Sequence, residues 1–100
     1  MQIKITDALV RLSKSENTFL ELFNNEKVSL EIYKPVGKDY QKPHDRDEIY
    51  IIVSGCGNFY LEETKYEFAP NDFFFVSAGK AHKFDDFTED FSTWVIFLNR

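Results

Sequence analysis

The feature that most constrains the fold is a series of short apolar runs separated by turn residues at regular intervals. Each run is bounded by Gly, Pro, Asn or acidic residues, and none is long enough for a long helix. Short strands at such spacing are typical of a β-sandwich or β-barrel. The predicted strands cover residues 19–23, 28–33, 48–53, 58–61, 65–68, 72–76, 82–84 and 92–98.

The N-terminal residues follow a different period. Ile5, Ala8, Leu9 and Leu12 have the three-and-four spacing of a helix with one apolar face. We therefore predict a short N-terminal helix, with Thr6 or Asp7 capping its start.

Three of the predicted strands are apolar on both faces, namely those within residues 49–53, 73–76 and 94–98. Successive side chains of a strand point to opposite faces of the sheet, so only one face fills the interior and the other needs separate cover. In a chain of 100 residues we expect a second copy to provide that cover. The pattern thus predicts a homodimer.

Charge and composition exclude several classes of function. The net charge is -5 and the basic residues are scattered, which argues against a nucleic-acid partner. No run reaches the roughly 18 residues of a membrane helix, so we expect a cytoplasmic protein with no membrane partner and a single domain, residues 1–100. Cys56 is the only cysteine, so any metal must be held by histidine, carboxylate or amide groups.

The two histidines and one glutamate are the candidate metal ligands. On a straight strand, four residues separate His44 from Glu48 by about 13 Å, too far for two ligands that each lie about 2 Å from one ion. Residues 45–47 must therefore reverse the chain, so that His44 ends one strand and Glu48 opens the next. With His82, this set would suit Fe, Mn, Ni, Zn or Cu. The residues alone leave structural or solvated roles open for both histidines.

Two stretches resemble the paired motifs of the cupin superfamily, "GKDYQKPHDRDEIYIIVSGCG" and "FAPNDFFFVSAGKAHKF". The resemblance implies an all-β fold, a single-domain jelly-roll barrel with an interior pocket that commonly holds a metal. It spans about residues 35–98, after a helix and strand extension at residues 1–34. His44, Glu48 and His82 match ligand positions of these motifs. Asn71 replaces a glycine of the second motif, and Asn accepts a left-handed turn conformation more readily than most residues.

The fourth ligand position departs from the family pattern. The family's histidine two residues before His44 is replaced by Lys42, whose ammonium group has no lone pair to donate. Gln41 is the nearer substitute, because small cupins often have a Gln-x-Pro-His arrangement. Its odd spacing from His44 puts it on the opposite face of a regular strand, unless Pro43 introduces a bulge.

Parity along the strands predicts the residues around the site. Tyr50 and Ile52 share the face of Glu48, and Phe84 shares that of His82, so we expect them to line the pocket or the core. Arg46, near the pocket mouth, would attract an anionic ligand or offset neighbouring aspartates. An aromatic pocket would accept a small, partly apolar molecule.

Fold does not fix function, and cupins include enzymes and binding proteins. We expect a metal-dependent enzyme of oxygenase or isomerase type that acts on a small-molecule substrate. The alternative is a non-catalytic module that binds a small ligand or metal as a sensor or interaction partner. Metal-free epimerase-like catalysis by a histidine base fits less well, because Glu48 is retained at its ligand position.

Overall fold

One helix and eight strands make up the computed structural model, which describes residues 1–99; Arg100, the last residue of the predicted domain, lies outside them. The elements follow in chain order: α1 (Ile5–Ser13), β1 (Phe19–Asn24), β2 (Val28–Tyr33), β3 (Asp47–Ser54), β4 (Gly57–Leu61), β5 (Thr64–Phe68), β6 (Phe73–Val76), β7 (His82–Asp85) and β8 (Ser92–Leu98).

The strands form two antiparallel sheets. The larger has the order β1-β2-β8-β3-β6 and the smaller the order β5-β4-β7. The predicted all-β jelly roll with a short N-terminal helix is confirmed. Because β2 lies between β1 and β8, both strands of residues 1–34 are part of the larger sheet.

The core lies between the inner faces of the two sheets. In β3, Glu48, Tyr50 and Ile52 are buried while the residues between them are partly exposed, so the alternation predicted from the sequence holds. Tyr50 and Ile52 belong to an aromatic-rich core to which both sheets contribute, with Tyr33, Phe59, Phe68, Val76, Phe84, Phe91, Val95 and Phe97. Alternation therefore places the Glu48 carboxylate on the inner face of β3, the same face as Tyr50 and Ile52 of the apolar core.

The helix α1 packs on the outer face of the larger sheet. Ala8 and Leu12 contact Ile32 there, and all three are buried. The predicted cap was wrong, because the N-cap residue is Lys4 in an extended conformation and the helix begins before Thr6 and Asp7.

Beyond the helix, an apolar strip of the same sheet is partly or fully exposed. Phe73 and Phe75 of β6 pair with Ile51 and Ile49 of β3, and the two phenylalanines are 59% and 44% exposed. We call this strip the outer strip; it comprises Leu30, Ile49, Ile51, Phe73, Phe75, Trp94 and Ile96. It is the surface for which the sequence predicts a second copy.

Across residues 1–99, the helical structure contains nothing of the length and apolar character that a membrane-spanning helix requires.

Candidate metal centre

The candidate ligands come from two strands and one irregular segment. Glu48 is the second residue of β3 and His82 the first of β7, whereas His44 lies in the segment of residues 34–46, which joins β2 to β3. The prediction that His44 ends a strand was wrong. The chain does bend at Asp45 and Arg46, as the separation between His44 and Glu48 requires.

Two hydrogen bonds bring the turn before β7 against His44 and the first residue of β3. The Ala78 N–H donates to the Asp47 carboxylate at 2.7 Å, and the Gly79 N–H donates to the His44 carbonyl at 2.7 Å. Gly79 has a φ of 83°, a left-handed conformation that glycine adopts without steric cost. These contacts place His82 at the end of the barrel where His44 and Glu48 lie.

The three side chains converge at one point. His82 Nε2 lies 2.8 Å from Glu48 Oε1, and His44 Nε2 lies 3.9 Å from the same oxygen. One ligand atom from each residue falls within 4.8 Å of the other two. Both distances to Glu48 Oε1 are within the limit of about 4 Å between two ligands that are each about 2 Å from one ion. The cluster thus has the dimensions of a site that could bind a metal.

The buried atoms of this cluster lack partners. Glu48 is 0% exposed, and within residues 1–99 neither of its carboxylate oxygens nor His82 Nε2 has a hydrogen bond of acceptable geometry. His82 Nδ1 lies 2.9 Å from the Lys80 carbonyl, which can only accept, so this nitrogen carries the proton. In neutral His82, Nε2 then has a lone pair directed at a carboxylate. Such an arrangement requires a cation between them, either a proton or a metal ion.

The protein environment acts on His82 in opposing directions. Burial lowers the pKa of His82, but the Glu48 carboxylate and the Lys80 carbonyl outweigh it, so the pKa lies above its usual value. Burial and the charge of Glu48 raise the pKa of Tyr50 well above its usual value, which keeps its hydroxyl a donor.

Gln41 reaches the same cluster. Its side-chain oxygen lies 3.4 Å from His44 Nε2 and accepts a hydrogen bond from the Tyr50 hydroxyl at 2.8 Å. Because residues 41–44 do not form a strand, the parity that would have turned Gln41 away does not apply. Lys42, in contrast, is exposed.

A cleft of about 460 Å³ opens beside the cluster, within the range of small-molecule sites. It shares Gln41 and His82 with the cluster, and its other walls are largely polar. Glu62 at its edge pairs with Lys80 at 3.2 Å. The remaining lining residues are Asp39, Tyr60, Ala81, Lys83 and Asp85.

Of the two places expected for the residues around the site, the pocket and the core, the structure places three in the core. Tyr50, Ile52 and Phe84 are at most 1% exposed and belong to the core, although the Tyr50 hydroxyl reaches Gln41. Arg46 is half-buried, with its guanidinium 4.3 Å from the centre of the Phe97 ring. It also donates to the Asn99 side chain at 2.8 Å. The cleft wall is therefore more polar than the aromatic pocket expected from the sequence.

Sequence reasoning missed Asp39. This carboxylate is 6% exposed and accepts hydrogen bonds from Tyr33, Gln41 and Phe84. The only local signal is its position two residues before Gln41, which does not distinguish it from solvated aspartates such as Asp45.

Comparison with known proteins identifies the family. The family described as "Cupin domain" matches residues 29–96, more than half of the chain. The chain belongs to the cupin family. An uncharacterized protein from Streptomyces coelicolor is 32% identical to this cupin over 85 residues, which are 83% of this chain and 81% of that protein.

Solved structures share the fold of this cupin. A protein from Bacillus halodurans superposes with a TM-score of 0.80 at 14% identity, over 100% of this chain and 81% of its own. The DMSP lyase DddQ from Ruegeria pomeroyi gives a TM-score of 0.64 at 25% identity, over 75% of this chain and 40% of the lyase. The first likeness shows the fold alone, and the second protein is an enzyme by its name.

Proposed function

We propose that this cupin binds one divalent transition metal ion through His44, Glu48 and His82, with Gln41 as the fourth ligand. We further propose that it is a metal-dependent enzyme acting on a small polar molecule in the adjacent cleft. Two neutral imidazoles, one carboxylate and one amide oxygen form a mixed nitrogen and oxygen set, which suits Fe, Mn, Ni, Zn or Cu.

The observation that carries the proposal is the group of buried, unpartnered acceptors at Glu48 and His82. Buried polar groups are otherwise paired in most proteins, and an unpaired acceptor costs about 1–3 kcal/mol. A metal ion would satisfy both carboxylate and imidazole at once. The proton on His82 Nδ1, held by the Lys80 carbonyl, would keep Nε2 free as a ligand.

The chain's own residues would divide the remaining work. When bound, the ion supplies Lewis-acid polarisation of a substrate oxygen. Lys83 and Asp85 in the cleft wall would orient substrate groups of opposite charge beside His82. The Tyr50 hydroxyl, held on Gln41, would keep that amide in place. The presence of a named lyase among proteins of this fold favours an enzyme but does not specify its substrate.

Metal content tests the proposal directly. The protein should be purified without chelator and without a histidine tag, and its metals measured by mass spectrometry. We expect about one ion per chain, with a loss of most of it in His44→Ala, Glu48→Gln and His82→Ala. Glu31→Gln, the same substitution at a half-buried glutamate of β2, is the matched control and should retain the metal. Unchanged metal content in the three ligand variants would refute the assignment.

Turnover distinguishes the enzyme from the alternative binding module. Metal-loaded and metal-free protein should be screened against small polar compounds, with and without dioxygen. Turnover that requires the metal supports the enzyme. Stoichiometric binding of a compound with no turnover would favour a sensor or interaction module.

A further inference from the structure

Asp39 is a buried carboxylate whose accepting positions are filled by the protein. Its Oδ1 accepts from the Tyr33 hydroxyl at 2.5 Å and from the Gln41 N–H at 3.2 Å. Its Oδ2 accepts from the Phe84 N–H at 2.8 Å and from Gln41 Nε2 at 2.9 Å. Four donors satisfy this carboxylate, which leaves it poorly suited to ligate a cation itself.

The contact with Gln41 decides which end of that amide faces the cluster. A carboxylate can only accept, so it selects the NH₂ end of Gln41. The oxygen end is then turned toward the Tyr50 hydroxyl and His44 Nε2. If the amide were reversed, its NH₂ group would face the imidazole. Its oxygen would then face the Asp39 carboxylate, and the hydrogen bond between Gln41 and Asp39 would be lost.

Asp39 is also fixed independently of Gln41. The Phe84 N–H belongs to β7, an edge strand of the smaller sheet, and Tyr33 ends β2 of the larger sheet. The carboxylate thus holds its position from both sheets of the barrel. The orientation of the Asp39 carboxylate is therefore set by the fold and not by Gln41.

We propose that Asp39 is a positioning residue that sets the Gln41 amide with its oxygen toward the metal centre. This inference rests on the proposed function, since the oxygen is useful there only as a ligand. In this role Asp39 is not itself a metal ligand. It acts by fixing the orientation of the one ligand that has two chemically different ends.

Cobalt(II) affinity in a double-mutant cycle tests the inference. Gln41→Leu removes the ligand, Asp39→Ala removes the positioning group, and the double variant combines them. Loss of such an outer contact typically weakens metal binding by about 10–100-fold, and we expect that loss for Asp39→Ala. If Asp39 acts through Gln41, adding Asp39→Ala to Gln41→Leu should change the affinity by no more than about twofold.

A control and a second readout separate positioning from general stability. Ser92→Ala removes a side-chain hydrogen bond between the buried Ser92 and Ser54, at the end of β3 away from Glu48, and should lower the unfolding temperature while leaving cobalt affinity unchanged. The visible spectrum of bound cobalt(II) should change in Asp39→Ala as it does in Gln41→Leu, because both lose the same oxygen ligand. Losses that add in the double variant, or an equal loss in Ser92→Ala, would overturn the inference.

NMR of the metal-free wild type tests the orientation without any variant that must fold. The Nε2 protons of Gln41 should show nuclear Overhauser effects to the Asp39 methylene, and effects only to the Tyr50 ring would overturn the inference. Absence of cobalt binding by the wild type would refute the proposed function instead. The orientation of the amide would then still be decided by the NMR measurement.

Discussion

Replacing Glu48 by glutamine should have opposite effects on the metal-free and the metal-bound protein. In the metal-free protein, the carboxylate is fully buried with His82 Nε2 only 2.8 Å away. At alkaline pH this imidazole is neutral, so two acceptors face each other. The glutamine amide supplies the missing donor, and relief of an unsatisfied buried acceptor is worth about 1–3 kcal/mol. Glu48→Gln should therefore raise the free energy of unfolding by that amount.

Metal should reverse the benefit. An ion present at about 100 times its Kd stabilises the wild type by about 2.7 kcal/mol. In a domain of this size, each kcal/mol shifts the Tm by roughly 4–8 °C, so the metal-induced rise is roughly 10–20 °C. Glu48→Gln should lose most of this rise, because a neutral amide is a weaker ligand than a carboxylate.

Thermal unfolding followed by circular dichroism, in chelator and in excess zinc or cobalt, measures both effects. Glu31→Gln controls for the loss of one negative charge and should keep the full metal-induced rise. A metal-free Glu48→Gln protein that melts below the wild type at alkaline pH would refute the reasoning. A metal-induced rise equal in the two proteins would do so as well.

Three further predictions concern stability and assembly. In urea titrations, Gly55→Ala should lower the free energy of unfolding by about 1–3 kcal/mol more than Gly79→Ala does. Both glycines have a positive φ, but of the two only Gly55 would place a Cβ against backbone, 2.6 Å away. Equal losses in the two variants would contradict this. Burial and the opposing Glu21 raise the pKa of Glu31, so Glu31→Gln should stabilise near neutral pH, by about 0.2–1 kcal/mol. That gain should vanish below the unfolded pKa of 4.5, where Glu31 is protonated in both states, and a pH-independent gain would argue against titration of Glu31. The homodimer stays a prediction: light scattering should show a dimer that Phe75→Lys on the outer strip converts to monomer, and a monomeric wild type would exclude it.

The strands could be predicted because their signals are local. Each apolar run ends at a turn residue, and Asn71 has the left-handed conformation that its turn suggested, with a φ of 75°. The inward faces of Glu48, Tyr50 and Ile52 also follow from alternation alone. Parity does not say how deep a side chain lies, because depth depends on the opposite sheet. Tyr50 and Ile52 therefore belong to the core and not to the cleft wall.

The irregular segment could not be predicted, because tertiary contacts determine its path. His44 is held by the N–H of Gly79, and Asp39 by the N–H of Phe84, 45 residues away. A repeating pattern cannot indicate such partners. The candidate ligand positions were recognisable from the resemblance of two stretches to the cupin motifs, whereas the orientation of Gln41 required the positions of Asp39 and Tyr50.

The irregular segment of residues 34–46 makes this site a composite of two separable halves. Glu48 and His82 belong to strands of the barrel wall, while Gln41 and His44 belong to a connection that adds no strand to either sheet. Asp39 of this connection is hydrogen-bonded to both sheets, so substitutions that spare it would change half of the proposed ligand set and leave the barrel intact. In an engineering experiment, a library confined to residues 34–46 with Asp39 kept would sample new coordination chemistries on a constant scaffold.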